Sequence, residues 1–558
     1  MGKKSALKSS YWNEFIPKSW SFLKKKYSLA FLKDDLIAGV TVGIVALPLA
    51  MAFAIASGVP PEKGIYTTII AGFLISLLGG SRLQIGGPTG AFVIIIYGII
   101  QRIGYEGLVV VTLLAGILLL IGAFSKLGSL IKYIPYPLIT GFTTGIAVII
   151  FSSQVKDFLG LQISQVPVDF IPKWIAILSS LSTLHLPTLA IAASTLTLII
   201  LIKRFLPIIP WGIVAVVVAT LISWGFDLPI ETISSRYGEI PRTLPLPSLP
   251  HFSFTFSEIH HMIPDALTIA FLAGIESLLS AMVADGMAGT RHRSNGELMA
   301  QGIANIGSVL FGGIPATGAI ARTATNIKMG AKTPLAGMIH ATTVLLIVLL
   351  FAPLVSLIPI AALAAILVMV AWNMSELSHF RHLFKAPIED IAILLTTFLL
   401  TVFVDLTVGV TVGMVLALFL FMKKMASVTE KGRLTVADKW LSEREEELPF
   451  DRRKLPPHVE IYEITGPLFF GVADTLKNIL PNLEFPPKVF ILRLGKVPLI
   501  DASGMNALKE FHHMCLKDGT TLYLTEACPE VKKSLKKFGL VDQIHLFPDL
   551  DSALKKAS

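Results

Sequence analysis

Two short segments of this chain combine threonine, glycine and proline in a way that suits anion binding. Thr89-Gly90-Ala91 lies within Gly86-Gly-Pro-Thr-Gly-Ala-Phe92, and Thr317-Gly318-Ala319 lies within Ile314-Pro-Ala-Thr-Gly-Ala-Ile320. Glycine and proline interrupt helices, and a helix that begins inside a membrane presents unpaired backbone N–H groups and the positive end of its dipole. Such helix starts bind anions. We therefore predict an anion site between Thr89-Gly90-Ala91 and Thr317-Gly318-Ala319.

Two charged residues lie inside apolar segments close to these motifs. Arg322 follows Thr317-Gly318-Ala319 by about one helical turn, and a buried arginine costs about 2.5–3.5 kcal/mol on insertion scales, so it faces a partner or an aqueous cavity. We interpret it as the charge that attracts the anion; the alternative is an arginine on the cytoplasmic side paired with a carboxylate. Glu276 could neutralise Arg322 in a structural ion pair, or take up a proton or a sodium ion that couples transport.

Two further side chains are candidates for the same site. Ser280, one turn after Glu276, could lend its hydroxyl to a cation, although serine in membrane helices often bonds its own backbone. Phe53, five residues after Pro48, lies where we expect the cavity and is a candidate substrate contact. The alternative for Phe53 is ordinary packing.

The composition places these residues in a membrane. Of 558 residues, 53% are hydrophobic and 15% are charged, and the mean hydropathy is +0.71, which is too apolar for a soluble protein of this size. The net charge of +9 is concentrated early: eight lysines up to Lys33 accompany one acid, Glu14. A basic stretch before the first apolar segment is typical of a cytoplasmic end, so we expect no nucleic-acid partner.

Apolar segments long enough to span a bilayer recur along the chain. We count fourteen, of which the third and tenth look too short to span: 35–57, 64–80, 88–101, 108–124, 134–152, 188–202, 207–225, 262–285, 296–312, 317–327, 335–352, 356–373, 387–403 and 406–422. An even number places both termini on one side, and the basic loops indicate the cytoplasm. Segment 169–183 is weaker and is expected to lie at the interface.

The membrane part contains an internal repeat. Thr-Gly-Ala recurs after 228 residues, and the same offset aligns the first span with the eighth. A duplicated unit of seven spans must be inverted in the membrane, and interrupted segments at matching positions of two such halves indicate the transport site. We thus predict an α-helical polytopic protein of fourteen segments as a 7+7 inverted repeat.

The pattern changes after the last span. We divide the chain into a cytoplasmic basic amino-terminus (1–34), a transmembrane transport domain (35–424), a linker (425–457) and a soluble α/β domain (458–558). Strands are predicted at Val459–Ile464, Lys488–Leu494 and Thr521–Leu524, and helices near 472–480, 504–517 and 529–538. Strands that alternate with helices indicate a small, mostly parallel sheet.

These motifs, in this order, resemble the sulfate permease (SulP) family of anion transporters. The resemblance is carried by Pro48-Leu-Ala-Met-Ala-Phe-Ala54, Gly64-Ile-Tyr66, Gly86-Gly-Pro-Thr-Gly90, Ala273-Gly-Ile-Glu-Ser277, Asn295-Gly-Glu-Leu-Met-Ala-Gln-Gly302, Ala321-Arg-Thr and Gly330-Ala-Lys-Thr-Pro-Leu-Ala-Gly337. It implies a core domain that moves against a gate domain in an elevator-like step, and a homodimer. It further implies that Phe53 packs against the anion, that Arg322 sets the field there, and that Glu276 is the acid of proton- or sodium-coupled relatives.

The substrate is less well defined by this resemblance. Leu49, Ala319 and Ala321 depart from residues common in the family. The runs Ala371-Trp-Asn-Met-Ser-Glu376 and Ala284-Asp-Gly-Met-Ala-Gly-Thr290 resemble bacterial C4-dicarboxylate transporters, so we expect succinate or fumarate with proton symport. Sodium-coupled transport of bicarbonate, or transport of sulfate, is the alternative.

The soluble domain resembles a STAS domain, named for sulfate transporters and anti-sigma factor antagonists. Asp501-Ala-Ser-Gly504 follows a strand and opens a helix, and Ser503 matches the serine that is phosphorylated in bacterial regulators. The alternative for Ser503 is an ordinary helix cap.

A different class of function is a membrane anion sensor that signals through the STAS domain. We expect no enzyme, because the sequence shows no metal-spaced cluster, nucleophile elbow or phosphate loop. The expected partners are a small anion, membrane lipid, a second copy of the chain and a cytoplasmic protein for the STAS domain. No cofactor is expected beyond a coupled H+ or Na+, and the expected location is the cell inner (cytoplasmic) membrane.

Overall fold

A computed structural model describes most of the chain. The described residues are 14–23, 29–129, 134–163, 166–206, 211–248, 255–431, 434–435, 458–468, 486–541 and 543–557. The helix predicted near 472–480 and much of the predicted linker lie outside them. The chain divides into two compact units, Met1–Met414 and Val415–Ser558.

The first unit is helical. Its helices, with the last one continuing into the second unit, are α1 Lys18–Leu23, α2 Leu29–Ala56, α3 Pro61–Leu78, α4 Gly90–Phe124, α5 Tyr136–Leu159, α6 Phe170–Ser179, α7 Leu186–Phe205, α8 Trp211–Gly225, α9 Ile233–Tyr237, α10 Phe256–Ala288, α11 Ser294–Leu310, α12 Ile320–Lys328, α13 Leu335–Ser356, α14 Ile360–Met374, α15 Leu377–Leu383, α16 Ile388–Phe403 and α17 Leu406–Lys431. Eight helices among the described residues are long and apolar enough to cross a membrane.

These helices form the two groups expected of a core and a gate. In the core, α2 packs against α3 and α13, and α4 packs against α10 and α11. In the gate, α5 packs against α14 and α16, and α7 packs against α8 and α14. The groups meet where α2 contacts α14 and α8. The fold is that of a fourteen-segment inverted repeat, as the sequence predicts.

The two halves of the repeat meet at a minimal sheet. Strand β1 (Gly86–Gly87) pairs antiparallel with β2 (Thr317–Gly318), with Gly86 opposite Gly318. Each strand leads into a helix, β1 into α4 and β2 into α12. The third and fourth predicted spans are the two parts of α4, which is interrupted at Gly104 by a non-helical conformation (φ 70°, ψ −176°). Glycine accommodates that positive φ.

Helix α10, which carries Glu276, begins with a side-chain cap. Thr255 Oγ1 accepts a hydrogen bond from the N–H of Glu258, and Glu258 Oε2 accepts one from the N–H of Thr255. This reciprocal capping box satisfies two N–H groups that the helix itself leaves unpaired. The helix ends at Gly289, whose φ of 62° stops the helical path.

The second unit contains a five-stranded sheet in the order β3-β4-β5-β6-β7. Its elements are β3 Leu434–Thr435, β4 Val459–Thr465, β5 Val489–Lys496, α18 Ala502–Lys517, β6 Thr521–Thr525, α19 Pro529–Lys537, β7 His545–Phe547 and α20 Leu550–Ala557. Strands β4 to β7 are parallel, and β3 is antiparallel to β4. The predicted strands in β4, β5 and β6 and the helices α18 and α19 are confirmed.

At the predicted linker, the structure differs from what the sequence predicts. Helix α17 continues to Lys431, seven residues beyond the expected end of the membrane domain. Within the predicted linker, Leu434 and Thr435 pair with Glu463 and Tyr462 and so extend the sheet. A two-residue edge strand gives too weak an alternation to be recognised in sequence.

Candidate anion-binding site

The β1–β2 pair brings the starts of α4 and α12 together. The N–H of Ala319 donates to the Ile85 carbonyl oxygen at 2.8 Å, which extends the pairing to the first residue before α12. Neither helix has a side-chain cap, since the side chains of Thr89 and Ala319 at the two cap positions accept no hydrogen bond from the helix start. Two helix starts are thus left without the usual side-chain acceptor for their first N–H groups.

Those first N–H groups are the candidate donors to an anion. Within the described ranges, no acceptor is found for the N–H groups of Gly90 and Ala91 in α4, or of Ile320, Ala321 and Arg322 in α12. Ile320 and Ala321 are exposed, whereas Gly90 and Ala91 are buried. Unpaired N–H groups from two helix dipoles favour a negative ligand at this point.

Arg322 links the two interrupted segments. Its guanidinium is buried, and Nη2 donates a hydrogen bond to the Pro88 carbonyl oxygen at 3.0 Å. Nη1 has no hydrogen-bond partner among the residues that the structure describes. A buried, charged donor without an acceptor is costly, so Nη1 is suited to an anionic ligand.

Gly87 makes this position of Arg322 feasible. A Cβ atom at residue 87 would lie 2.5 Å from Arg322 Nη1, and the φ of Gly87 is +151°. Both the space and the backbone conformation therefore require glycine here. The glycine of β1 is needed for the arginine of α12 to reach across the repeat.

Glu276 contacts the other helix start. Its Oε2 accepts a hydrogen bond from Thr89 Oγ1 at 2.8 Å, and its side chain is partly accessible. No ion pair joins Glu276 to Arg322, although both residues are described, so the alternative of a structural salt bridge between them is wrong. Glu276 places a carboxylate beside the start of α4, and no positively charged side chain among the described residues is bonded to it.

Phe53 lies where the core meets the gate. A Cβ atom at Gly90 would lie 3.4 Å from Phe53 Cε1, and 3.0 Å from both Ile150 Cδ1 of α5 and Met374 Sδ of α14. Phe53 is 5% exposed. The ring therefore packs at the start of α4 beside two gate side chains, which the sequence did not single out.

Not every predicted residue directs its polar group to this surface. Thr317 Oγ1 donates to the Ala273 carbonyl oxygen at 2.8 Å, and the N–H of Ala319 is bonded to Ile85. Gly318 lies against Gln84, since a Cβ there would be 1.6 Å from Gln84 Nε2. These residues form the scaffold of the site through backbone placement, while their polar groups are occupied.

Ser280 is also a scaffold residue. Its hydroxyl lies 3.1 Å from Thr323 Oγ1, and Thr323 Oγ1 accepts a hydrogen bond from the Ile85 N–H at 3.0 Å. Ser280 thus fixes the segment that leads into β1. It does not bond its own backbone in the way weighed from the sequence.

A buried network around Glu297 supports the same segment and was missed from the sequence. Glu297 accepts hydrogen bonds from the Ser81 N–H, from Ser277 Oγ and from Gln301 Nε2, each at 3.0 Å. Ser277 Oγ also accepts one from Gln84 Nε2 at 2.8 Å. The acid in the motif Asn295-Gly-Glu could have indicated a polar network, but most of its partners are remote in sequence and could not be identified from it.

In the second unit, Asp501 rather than Ser503 caps α18. Asp501 Oδ1 accepts a hydrogen bond from the Gly504 N–H at 2.7 Å, while Ser503 is exposed in the first turn. The cap interpretation of Ser503 is therefore wrong. An exposed hydroxyl at a helix start is sterically available for a phosphate, and phosphorylation of Ser503 stays a prediction.

Interrupted helices from two inverted halves, meeting beside a buried arginine, define a membrane transporter of small anions. The chain belongs to the Sulfate permease family, which matches residues 32–397, and residues 453–553 match the STAS domain.

Several relatives cover nearly the whole chain. The putative sulfate transporter YvdB of Bacillus subtilis is 43% identical over 532 residues, covering 94% of this chain and 98% of the relative. The bicarbonate transporter BicA of a Picosynechococcus species is 30% identical over 539 residues, covering 92% of each chain.

Solved structures agree on the fold. The transmembrane domain of a cyanobacterial BicA superposes with a TM-score of 0.63 at 33% identity, over 69% of this chain and 99% of that domain. Murine Slc26a9, an anion transporter, superposes with a TM-score of 0.85 at 20% identity, over 97% of this chain and 94% of that one, which shows the fold alone.

These relatives correct the substrate expected from the sequence. Their names give sulfate or bicarbonate, and the resemblance to C4-dicarboxylate transporters with proton symport is not supported. The runs that suggested dicarboxylates, 371–376 and 284–290, lie at the ends of α14 and α10. The first of them includes Met374, which lies beside Gly90 at the start of α4.

Proposed function

We propose that this protein transports an inorganic oxyanion, sulfate or bicarbonate, that binds between the starts of α4 and α12. The observation that supports it is that two helix starts with unpaired N–H groups are joined by the β1–β2 pair, and that Arg322 Nη1, which has no partner among the described residues, lies beside Gly87 of β1. Oxyanions accept several hydrogen bonds in different directions, which matches donors that come from two helix starts and one guanidinium. The names of the relatives are consistent with these two substrates.

We further propose that a cation neutralises Glu276 before the anion binds. Thr89 joins the Glu276 carboxylate directly to the start of α4, where the anion would lie. Two negative charges about 4 Å apart repel by about 4 kcal/mol at an effective dielectric constant of about 20. Uptake of a sodium ion or a proton by Glu276 removes that repulsion and couples the two fluxes.

The test is uptake by the purified full-length protein in proteoliposomes. Labelled sulfate and labelled bicarbonate are supplied separately, with a sodium gradient, a proton gradient or neither. We expect saturable uptake of one of them that the unlabelled anion inhibits. Binding of both anions without net flux would instead indicate the sensor, and uptake equal to that of protein-free liposomes for both would overturn the proposal.

A further inference from the structure

A second cavity lies apart from the transport site and is rich in cations. Its volume is about 630 Å³. It is formed by the segment before α1, by Ser129 in the loop that follows α4, and by the connection between α10 and α11. Lys18, Arg291 and Arg293 line it. No residue proposed to contact the transported anion belongs to its lining.

The walls of this cavity are held in place by bonds between distant parts of the chain. Arg293 Nη1 donates to the Ile16 carbonyl oxygen at 2.5 Å, and Asn295 Oδ1 accepts a hydrogen bond from the Gly128 N–H at 3.1 Å. The N–H of Lys18 donates to the Gly79 carbonyl oxygen at 3.0 Å. The connecting segments that form the cavity are thus joined by hydrogen bonds between distant parts of the chain.

Both acids in the lining already accept hydrogen bonds from residues other than its lysine and arginines. Glu14 Oε2 accepts a hydrogen bond from Asn295 Nδ2 at 2.7 Å. Asp285 accepts hydrogen bonds from Thr290 Oγ1 at 2.7 Å and from the His292 N–H at 2.8 Å, and its Oδ2 lies 2.7 Å from His292 Nδ1. Neither acid is within ion-pair distance of a lysine or arginine of the lining.

The cations are correspondingly unpaired. Among the described residues, no carboxylate forms an ion pair with Lys18, Arg291 or Arg293. Burial, and then the charge of nearby Arg293, lower the pKa of Lys18. The charge of Asp285 raises that pKa and offsets part of this effect. The three cations outnumber the two acids of the lining, so an anionic ligand would relieve the repulsion among them.

The start of α11 adds neutral donors on the same side. Arg293 at the cap position provides no side-chain acceptor, and the described residues contain no acceptor for the N–H groups of Ser294, Asn295 and Gly296. Ser294 and Asn295 line the cavity. A helix of 17 residues therefore directs its positive end towards three unpaired cations.

We propose that this cavity binds a phosphomonoester group. Three cations and a free helix start suit a compact, doubly charged oxyanion with several acceptor oxygens, which is the chemistry of phosphate. The group could be presented by an anionic lipid headgroup or by a soluble phosphate, and the binding chemistry is the same.

The experiment measures binding of two probes to the purified full-length protein. Inorganic phosphate is titrated by calorimetry, and phosphatidic acid, with phosphatidylcholine as the comparison lipid, is counted by native mass spectrometry. All measurements are repeated with Arg322→Gln, which disables the transport site. We expect saturable binding of at least one probe that persists in Arg322→Gln, and the probe that binds more tightly identifies the source of the phosphate.

Charge removal tests the assignment to this cavity. Lys18→Gln and Arg291→Gln should each weaken binding about tenfold, because each loses one charge-assisted hydrogen bond. Arg381→Gln, which changes an exposed arginine of α15, should bind as the wild type does. Unchanged affinity in both cavity variants, or binding of neither probe by the wild type, would overturn the proposal.

A measurement on the wild type tests the same assignment without relying on variants that could be misfolded. Bound phosphate should slow hydrogen exchange of the N–H groups of residues 294–296 at least severalfold, because they become hydrogen-bonded donors. Binding that leaves this exchange unchanged would place the ligand elsewhere and would also overturn the proposal. Neither result depends on transport.

Discussion

Replacing Arg322 by glutamine removes the one charged donor that reaches from α12 into β1. In the native protein Nη2 binds the Pro88 carbonyl oxygen, and Nη1 is left for the anion. Glutamine is polar and shorter, so it leaves no buried charge but reaches neither Pro88 nor the ligand with the same geometry. We expect the fold to persist and anion transport to fall.

The size of that loss follows from the number of contacts. One charge-assisted hydrogen bond contributes about 1.5–3 kcal/mol, which corresponds to a decrease of about ten- to a hundredfold in transport efficiency. Arg322→Lys retains the charge but cannot bind Pro88 and the anion together, so its efficiency should be intermediate. Initial rates of sulfate and bicarbonate uptake over a range of concentrations measure the effect.

A matched arginine provides the control. Arg102 forms an ion pair with Asp265 at 2.9 Å, but its side chain is 61% exposed, and such pairs contribute about 0–1 kcal/mol. Arg102→Gln should therefore transport almost as well as the wild type. If Arg322→Gln, folded by size exclusion and thermal unfolding, also transports as the wild type does, the assignment of Arg322 to the site is refuted.

Three further predictions test other parts of the structure. Glu276→Gln keeps an acceptor for threonine but not the charge, so uptake should lose its dependence on the sodium or proton gradient; a dependence equal to the wild type would exclude a coupling role. Gly87→Ala should lower the free energy of unfolding by about 1–3 kcal/mol and reduce uptake, because the φ of Gly87 is +151° and the added Cβ would meet Arg322. Gly98→Ala is the control and should do neither, because there is open space around Gly98. Asp501→Ala should destabilise the start of α18 by about 1 kcal/mol, seen as faster hydrogen exchange there, and loss of protection in Ser503→Ala instead would contradict the assigned cap.

The sequence predicted the fold because its signals are local. Apolar length specifies membrane helices, and the recurrence of Thr-Gly-Ala at a fixed offset indicates the inverted repeat. The interrupted starts of α4 and α12 follow from glycine and proline at known positions. These features need no knowledge of which residues meet in space.

The contacts within the site could not be predicted from the sequence, because they depend on how distant segments pack against each other. Thr89 and Glu276 are 187 residues apart, and only the packing of α10 against the start of α4 joins them. The same holds for the hydrogen bond of Arg322 to Pro88. The acceptor is a backbone carbonyl oxygen, which every residue has, so the residue type does not identify it. The elevator-like step, the homodimer, the membrane and its sides, and the domain boundaries at 34, 424 and 457 stay predictions.

The presence of one acid, Glu276, and one base, Arg322, at the same site has an electrical consequence. Glu276 lies on α10 and Arg322 on α12, which pack against each other, so these two residues contribute equal positive and negative charge when both are ionised. Movement of one elementary charge through a potential of 100 mV changes its energy by about 2.3 kcal/mol. If the core moves as a body, the return of the empty carrier is insensitive to membrane voltage, and the current of a transport cycle reports only the charges of the cargo and its coupled cation.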